Sequence, residues 1–155
     1  MSGPRTAPTI RVLTHAECDA LLARQHVGRL AFAFHDRVDI QPIHYAYEAG
    51  WIYGRTSEGA KLVTIAHNPW VAFEVDEFRE PFHWDSVVVR GSFHRLDPDG
   101  TERERGAGAR ALHLLRSVVP EMLTSDDPTP SRTVFFRIAV GDVTGRSARP
   151  GAAIP

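Results

Sequence analysis

The sequence is poor in cysteine, in lysine and in long apolar runs. Cys18 is the single cysteine among 155 residues, which excludes an internal disulfide and any paired-cysteine metal or redox motif. No segment approaches the roughly 18 consecutive apolar residues of a membrane-spanning helix. The first residues contain no apolar stretch typical of a secretion signal. We therefore expect a cytoplasmic protein that makes no membrane contact.

The chain also has no large net charge of either sign. The chain has 18 basic residues, of which Lys61 is the only lysine, and 19 acidic residues, giving a net charge of -1. This balance gives no electrostatic reason to bind nucleic acid. The eight histidines show neither an HxH nor an HExxH spacing, so no metal site is predicted. The glycine-rich phosphate loops GxxxxGK[ST] and GxGxxG and the GxSxG elbow are missing as well. A small-molecule ligand is the expected partner.

The residues that are present are typical of one globular domain. Apolar residues make up 43% of the chain and charged residues 24%. Periodic apolar residues begin near residue 11 and stop near residue 146. We therefore predict one domain over 11–146, with flexible ends at 1–10 and 147–155.

Apolar periodicity within this domain predicts a mainly β fold with about three helices. Alternation of apolar and polar residues indicates six strands, and the short connections between the early strands favour an antiparallel sheet that closes as a small barrel. The predicted helices cover about 15–25, 58–67 with Ser57 as N-cap, and 101–119.

One segment has the composition of an anion site. Thr56, Ser57 and Lys61 lie where a predicted strand ends and the second helix begins, with Arg55 just before them. A lysine in the first turn opposes the helix dipole unless a bound anion compensates it, and the hydroxyls add hydrogen-bond donors. We interpret the segment as a phosphate site; the alternative is an ordinary capped helix with solvated charges.

A second segment indicates an exposed sheet edge. Pro42 interrupts the predicted strand 38–47 and cannot donate to a neighbouring strand, which indicates an edge or a bulge where backbone could meet a flat ligand. His44 follows on the same strand. It is either a structural histidine or a member of that site.

Four segments, taken together and in this order, resemble the pyridoxamine 5'-phosphate oxidase-like, FMN-binding split-barrel superfamily. They are residues 41–45, 52–62, 68–76 and 84–91. The likeness covers about residues 12–145 and is nearest to the nitroimidazole-reductase-like and other small flavin-binding branches. It implies a six-stranded antiparallel split β-barrel of Greek-key type. It also implies a homodimer with FMN in two clefts at the subunit interface.

The resemblance implies cofactor contacts for ten residues. Along the isoalloxazine ring would lie Gln41, Pro42, Ile43 and His44. Near the ribityl phosphate would lie Arg55, Thr56 and Ser57, with Lys61 on the phosphate itself. Ser86 stands where the true oxidases have a flavin-contacting glutamine, and Trp84 would either close the cleft or pack in the dimer interface. His44 is the candidate catalytic residue, because it could supply or accept a proton near the ring.

Departures from the family pattern argue against pyridoxine phosphate oxidation. Asp39 stands where the true oxidases carry a basic residue, and His44 replaces a lysine. The tail 146–155 also lacks the C-terminal substrate-binding segment, with its Trp and Arg, of those oxidases. We expect instead an FMN-dependent oxidoreductase that reduces a small, flat electrophile of quinone, nitro or biliverdin type with an external reductant. The alternatives are an F420-dependent reductase on the same barrel and a non-catalytic flavin- or haem-binding protein.

Overall fold

The computed structural model describes residues 6–151. These residues form three helices: α1 (His15–Arg24), α2 (Ala60–His67) and α3 (Glu102–Arg116). They also form eight strands: β1 (Thr9–Val12), β2 (Val27–Phe34), β3 (Arg37–His44), β4 (Ala46–Glu48), β5 (Trp51–Thr56), β6 (Trp70–Glu80), β7 (His83–Leu96) and β8 (Val134–Arg149). None of these helices is long and apolar enough to cross a membrane.

All strand pairings are antiparallel and belong to one sheet. The strand order is β3-β2-β6-β7-β8-β5-β4, and β1 pairs with the second half of β8. The sheet curves around a core without closing, so β3 and β4 remain edge strands, as in a split barrel. The predicted mainly β fold with three helices is confirmed. The strand number is eight rather than six.

The predicted strand 38–47 is two strands because of Tyr45. Its side chain is buried, its hydroxyl donates to the carbonyl of Leu22 at 2.7 Å, and its backbone N–H donates to the carbonyl of His26 at 2.9 Å. These bonds end the pairing with β2 at His44. The chain then pairs with β5 as β4.

Strands extend beyond the predicted domain bounds of 11–146 at both ends. β8 continues to Arg149 because its last residues pair with β7 on one side and β1 on the other, which buries Ser147 and Ala148. Thr9 and Ile10 are part of β1, although the prediction placed them in the flexible end. Two paired neighbours compensate here for the weak apolar pattern of the sequence. Residues 1–5 and 152–155 lie outside the described residues.

The larger core lies on one side of the sheet, and a smaller buried cluster with Tyr53 and Leu96 lies on the other side beneath α3. Alternate apolar residues of the central strands point inward, and the rings of Phe73 and Phe136 fill the space between them. Gly54 is required beneath one ring, because a Cβ there would overlap the Phe136 side chain. On β2, β3, β6 and the first half of β7, the side chains of opposite parity form the other side of the sheet, which we call the outer face.

The three helices begin in two different ways. Thr14 and Thr101 cap α1 and α3 through their side-chain oxygens. The N-cap of α2 is Gly59, not the predicted Ser57, and no side chain caps this helix. Gly59 has φ 156° and ψ -169°, a conformation that side-chain-bearing residues rarely adopt, so the helix cannot extend back to Glu58.

Candidate functional site

A cavity of about 390 Å³ lies between the end of β3, the end of β5 and the start of α2. It brings together seven of the ten predicted cofactor-binding residues: Gln41, Pro42, Ile43, Arg55, Thr56, Ser57 and Lys61. The wall also includes Arg132, just before β8, and residues 58–60 at the start of α2. We call this the cation cavity.

Lys61 and Arg132 place two positive charges on the cation cavity. Both side chains belong to half-buried residues, and the pKa of Lys61 is lowered by burial and by the charge of Arg132. Within residues 6–151, neither side chain forms a salt bridge or a hydrogen bond with a carboxylate. The carboxylate of Glu58, which also lines the cavity, pairs with Arg95 instead. The two cations therefore have no bonded counterion among the described residues and are suited to bind an anion.

The uncapped start of α2 adds to this preference for an anion. Gly59 turns the backbone at the cavity wall, and no side-chain oxygen occupies the helix N-terminus. The positive end of the helix dipole therefore stays available for a ligand. Ser57 is free of the predicted capping role and lines the same cavity.

Arg55 lines the cation cavity, and its guanidinium is bonded to the loop before β8. Its guanidinium is 6% exposed and donates to both carboxylate oxygens of Asp127, at 2.8 and 2.7 Å. It also donates to Thr129 Oγ1 at 2.9 Å and to the carbonyl of Arg132 at 3.1 Å. The Arg55 guanidinium holds the pKa of Asp127 well below its usual range. Arg55 thus fixes the loop that carries Arg132.

His44, Trp84 and Ser86 do not line the cation cavity. Ile43 points into the core, so the next residue, His44, lies on the outer face. Ser86 and Trp84 lie on the same face, because they alternate with the buried Val87. The ten predicted residues therefore divide into a cavity set of seven and an outer-face set of three within one chain.

A polar cluster lies on the outer face beside Ser86. Arg29 Nη1 is 3.3 Å from Asp76 Oδ1 and 3.6 Å from Glu74 Oε2, and Ser86 Oγ donates to Glu74 Oε1 at 3.2 Å. Burial, and then the neighbouring Asp76, raise the pKa of Glu74 to about 7. Glu74 can therefore exchange a proton near neutral pH. No group of three or more His, Cys, Asp or Glu between Thr6 and Gly151 is arranged to hold a metal ion.

Sequence reasoning missed Arg132 and its support. Arg132 follows a proline-rich loop without periodicity, and its position depends on the contact of Arg55 with Asp127, 72 residues away. No pattern of neighbouring residues in the sequence indicates such a distant ion pair. The one signal in the sequence is the excess positive charge of residues 55–61. This charge predicts that a ligand or another part of the chain lies against the segment.

Known proteins are similar to this chain over most of its length. The uncharacterized protein RA0666 of Rhizobium meliloti (strain 1021) is 29% identical over 154 residues, covering 92% of this chain and 97% of that protein. The crystal structure of a FAD-binding protein from Mesorhizobium loti is 32% identical, with a TM-score of 0.74, covering 90% of this chain and 99% of that one. The FAD binding protein of Mycobacterium smegmatis is 27% identical, with a TM-score of 0.65, covering 89% and 98%.

A sequence model of one protein family shows the family to which this chain belongs. The model described as pyridoxamine 5'-phosphate oxidase matches residues 14–147, which is most of the chain. The chain therefore belongs to the pyridoxamine 5'-phosphate oxidase family, as its resemblance to that superfamily predicts.

Proposed function

We propose that the chain is a flavin-dependent oxidoreductase that binds the flavin phosphate in the cation cavity. The observation that carries the proposal is the pair of Lys61 and Arg132, two cations that share one cavity and have no carboxylate partner in the described part of the chain. A phosphate dianion matches two positive charges at a helix N-terminus. The residues present thus fit the phosphate end of a flavin.

The ring end of the flavin would lie along the end of β3. Gln41, Pro42 and Ile43 form one wall of the cavity, and β3 is an edge strand, so its backbone is accessible. Pro42 presents a flat apolar surface and no N–H group there. The solved relatives from Mesorhizobium loti and Mycobacterium smegmatis, described as FAD-binding, favour a flavin over other phosphate ligands.

We further propose that two copies of the chain pair through their outer faces. Val38 and Ile40 on the edge strand are 76% and 66% exposed, more than expected for apolar side chains of a sheet that meets only water. Pairing through this face would bring the outer-face residues of the second copy toward the cation cavity. This would explain why His44, Trp84 and Ser86 lie apart from the cavity within one chain.

The bound flavin would supply hydride chemistry, and the chain would position it. Lys61 and Arg132 would bind the phosphate, and the paired faces would exclude water from the ring. His44 would exchange a proton between its imidazole nitrogen and the substrate. The substrate we propose is a small, flat electrophile of quinone, nitro or biliverdin type, which can lie against the flavin ring.

The test is cofactor binding by the purified protein. We expect flavin absorption bands to co-purify, or to appear when FMN or FAD is added to the stripped protein. Lys61→Ala and Arg132→Ala should each weaken flavin binding by about tenfold or more, which corresponds to one charge-assisted hydrogen bond. Arg103→Ala, an exposed arginine outside the cation cavity, is the control.

Three results would overturn the proposal. Flavin affinity unaffected by both Lys61→Ala and Arg132→Ala would remove the phosphate site. A protein that binds F420 or haem and neither flavin would replace the cofactor. A tightly bound flavin that no quinone, nitro compound or biliverdin reoxidises after reduction would leave a flavin-binding protein without the proposed activity.

A further inference from the structure

A second cavity lies beside α3 and is not used by the proposed function. Its volume is about 430 Å³, within the range of ligand sites. Leu96, Leu112 and Phe135 form apolar walls, while Asp97 and Glu104 lie among its polar lining residues. We call it the α3 cavity.

The α3 cavity adjoins the cation cavity. Glu58 lines both cavities, and Thr133, a wall of the α3 cavity, directly follows Arg132. A ligand whose phosphate lies on Arg132 can therefore continue toward α3. The path leads away from β3, where the flavin ring is proposed to lie.

We propose that the α3 cavity binds the adenosine end of FAD, so that the chain prefers FAD to FMN. This inference rests on the proposed phosphate site in the cation cavity. An adenine ring has apolar faces that suit Leu112 and Phe135. Ribose hydroxyls are donors, and the carboxylates of Asp97 and Glu104 are acceptors.

A cation at the junction of the two cavities could bind the second phosphate of FAD. Arg95 lines the α3 cavity and pairs with Glu58, and the two side chains are 51% and 62% exposed. An exposed ion pair contributes little stability, so it can open at small cost. A phosphate can then replace the Glu58 carboxylate as the partner of Arg95.

A third cavity, of about 420 Å³, is the competing place for the adenosine end. It lies beside Phe32 and Phe34 and shares Gln41 and Lys61 with the cation cavity. It also includes Arg37 and Asp39 of β3, so it lies on the side proposed for the flavin ring. We therefore assign the adenosine end to the α3 cavity. Binding of the adenosine end in the third cavity would contradict this assignment.

Two glycines of α3 offer a matched pair of variants. A Cβ added at Gly106 or at Gly108 meets no atom within 4 Å, so either position accepts a side chain without a clash. Only Gly108 lines the α3 cavity. Gly108→Leu should fill part of that cavity, and Gly106→Leu should not. Because both changes replace glycine within a helix, both should preserve or raise the melting temperature.

The experiment measures FAD and FMN dissociation constants for the stripped protein by quenching of flavin fluorescence. We expect the unmodified protein to bind FAD about tenfold more tightly than FMN. Gly108→Leu should remove this preference by weakening FAD alone, and Gly106→Leu should change neither constant. Thr64→Leu, which fills the third cavity, should not affect FAD selectively.

Three outcomes would overturn the inference. Equal affinities for FAD and FMN would do so, as would a FAD preference unchanged by Gly108→Leu. Selective loss of FAD binding in Thr64→Leu would move the adenosine end to the third cavity. In each case, FMN binding that still depends on Lys61 would leave the proposed function intact, whereas absence of all flavin binding would remove both.

Discussion

The guanidinium of Arg55 and the carboxylate of Asp127 form a two-bonded ion pair in which both side chains are almost fully buried, at 6% and 2% exposure. The pair joins the end of β5 to the loop before β8. Arg55 also binds the carbonyl of Arg132, so one side chain fixes both the loop and the cation that follows it. In the proposed site Arg55 is a positioning residue, and Arg132 is the binding residue.

This relationship predicts a combined loss of stability and affinity in Arg55→Met. Removing one partner of a buried pair leaves the other charge uncompensated, and we expect the free energy of unfolding to fall by about 3 kcal/mol. Flavin affinity should fall as well, because Arg132 loses its support. Thermal unfolding and flavin titration at a temperature well below the transition measure the two effects.

A double-variant test separates positioning from general damage. If Arg55 acts through Arg132, Arg55→Met should add no further loss of flavin affinity in an Arg132→Ala background. Additive losses would show that Arg55 acts on the ligand by another route. Arg110→Met removes an exposed pair with Glu48 and should change neither stability nor affinity noticeably.

A second prediction concerns the backbone at Gly59. Gly59→Ala introduces no clash, because the space around its Cβ is open, but alanine is strained at φ 156°. We expect a loss of about 1–3 kcal/mol in the free energy of unfolding, or a shifted start of α2, together with weaker flavin binding. Chemical denaturation and flavin titration test this.

The control for Gly59 is Gly106→Ala. Its surroundings are equally open, but its backbone lies within α3, so this change should stabilise the protein by up to about 1 kcal/mol. Stabilisation of both variants would refute the role of the Gly59 backbone.

Local patterns predicted most elements of the fold, and long-range contacts account for the rest. The capping box at Thr14 and the alternation in β6 and β7 are properties of neighbouring residues, so they are visible in the sequence. The break after His44 depends on the bond from Tyr45 to Leu22, 23 residues away. The extension of β8 depends on its pairing with β1, from the other end of the chain.

The same distinction applies to the candidate site. The segment from Arg55 to Lys61 has a composition that favours an anion wherever it lies, and the structure places it on a cavity. The sequence shows that Arg55 is a cation but not which carboxylate it meets. For that reason the roles of Arg55 and Arg132 could be distinguished only in the folded chain.

A third prediction follows from the raised pKa of Glu74. The folded chain holds the Glu74 proton up to about pH 7, whereas the unfolded chain releases it near the ordinary value of 4.5. Between these values the folded state binds more protons, so the free energy of unfolding decreases as pH rises. Relative to Glu74→Gln, the unmodified protein should lose roughly 1–3 kcal/mol from pH 5 to pH 8, since one pKa unit corresponds to about 1.4 kcal/mol.

Denaturation curves at several pH values measure this difference. Glu80→Gln, an exposed carboxyl on the same strand, is the matched control and should show no such trend. A difference between the unmodified protein and Glu74→Gln that stays constant with pH would contradict the assignment. The sign is also diagnostic, because a carboxylate stabilised by Arg29 alone would produce the opposite slope.

The last prediction concerns pairing through the outer face. Ile40→Arg places a charge on the edge strand at a position that is 66% exposed in one chain. If two copies pair there, the charge must be buried without a partner, and the dimer should dissociate. Sedimentation velocity should then show a monomer. Flavin affinity should fall with it, because the cation cavity would lose the face of the second copy.

Val63→Arg is the control for this variant. Val63 is comparably exposed, at 61%, but lies on α2 and not on the sheet. Its substitution should leave the dimer intact and should not reduce flavin affinity, since an added positive charge near Lys61 favours a phosphate. A monomeric unmodified protein that binds flavin tightly would contradict the shared site. Loss of the dimer in both variants would extend the interface to α2, whereas loss in Ile40→Arg alone would locate it on the outer face.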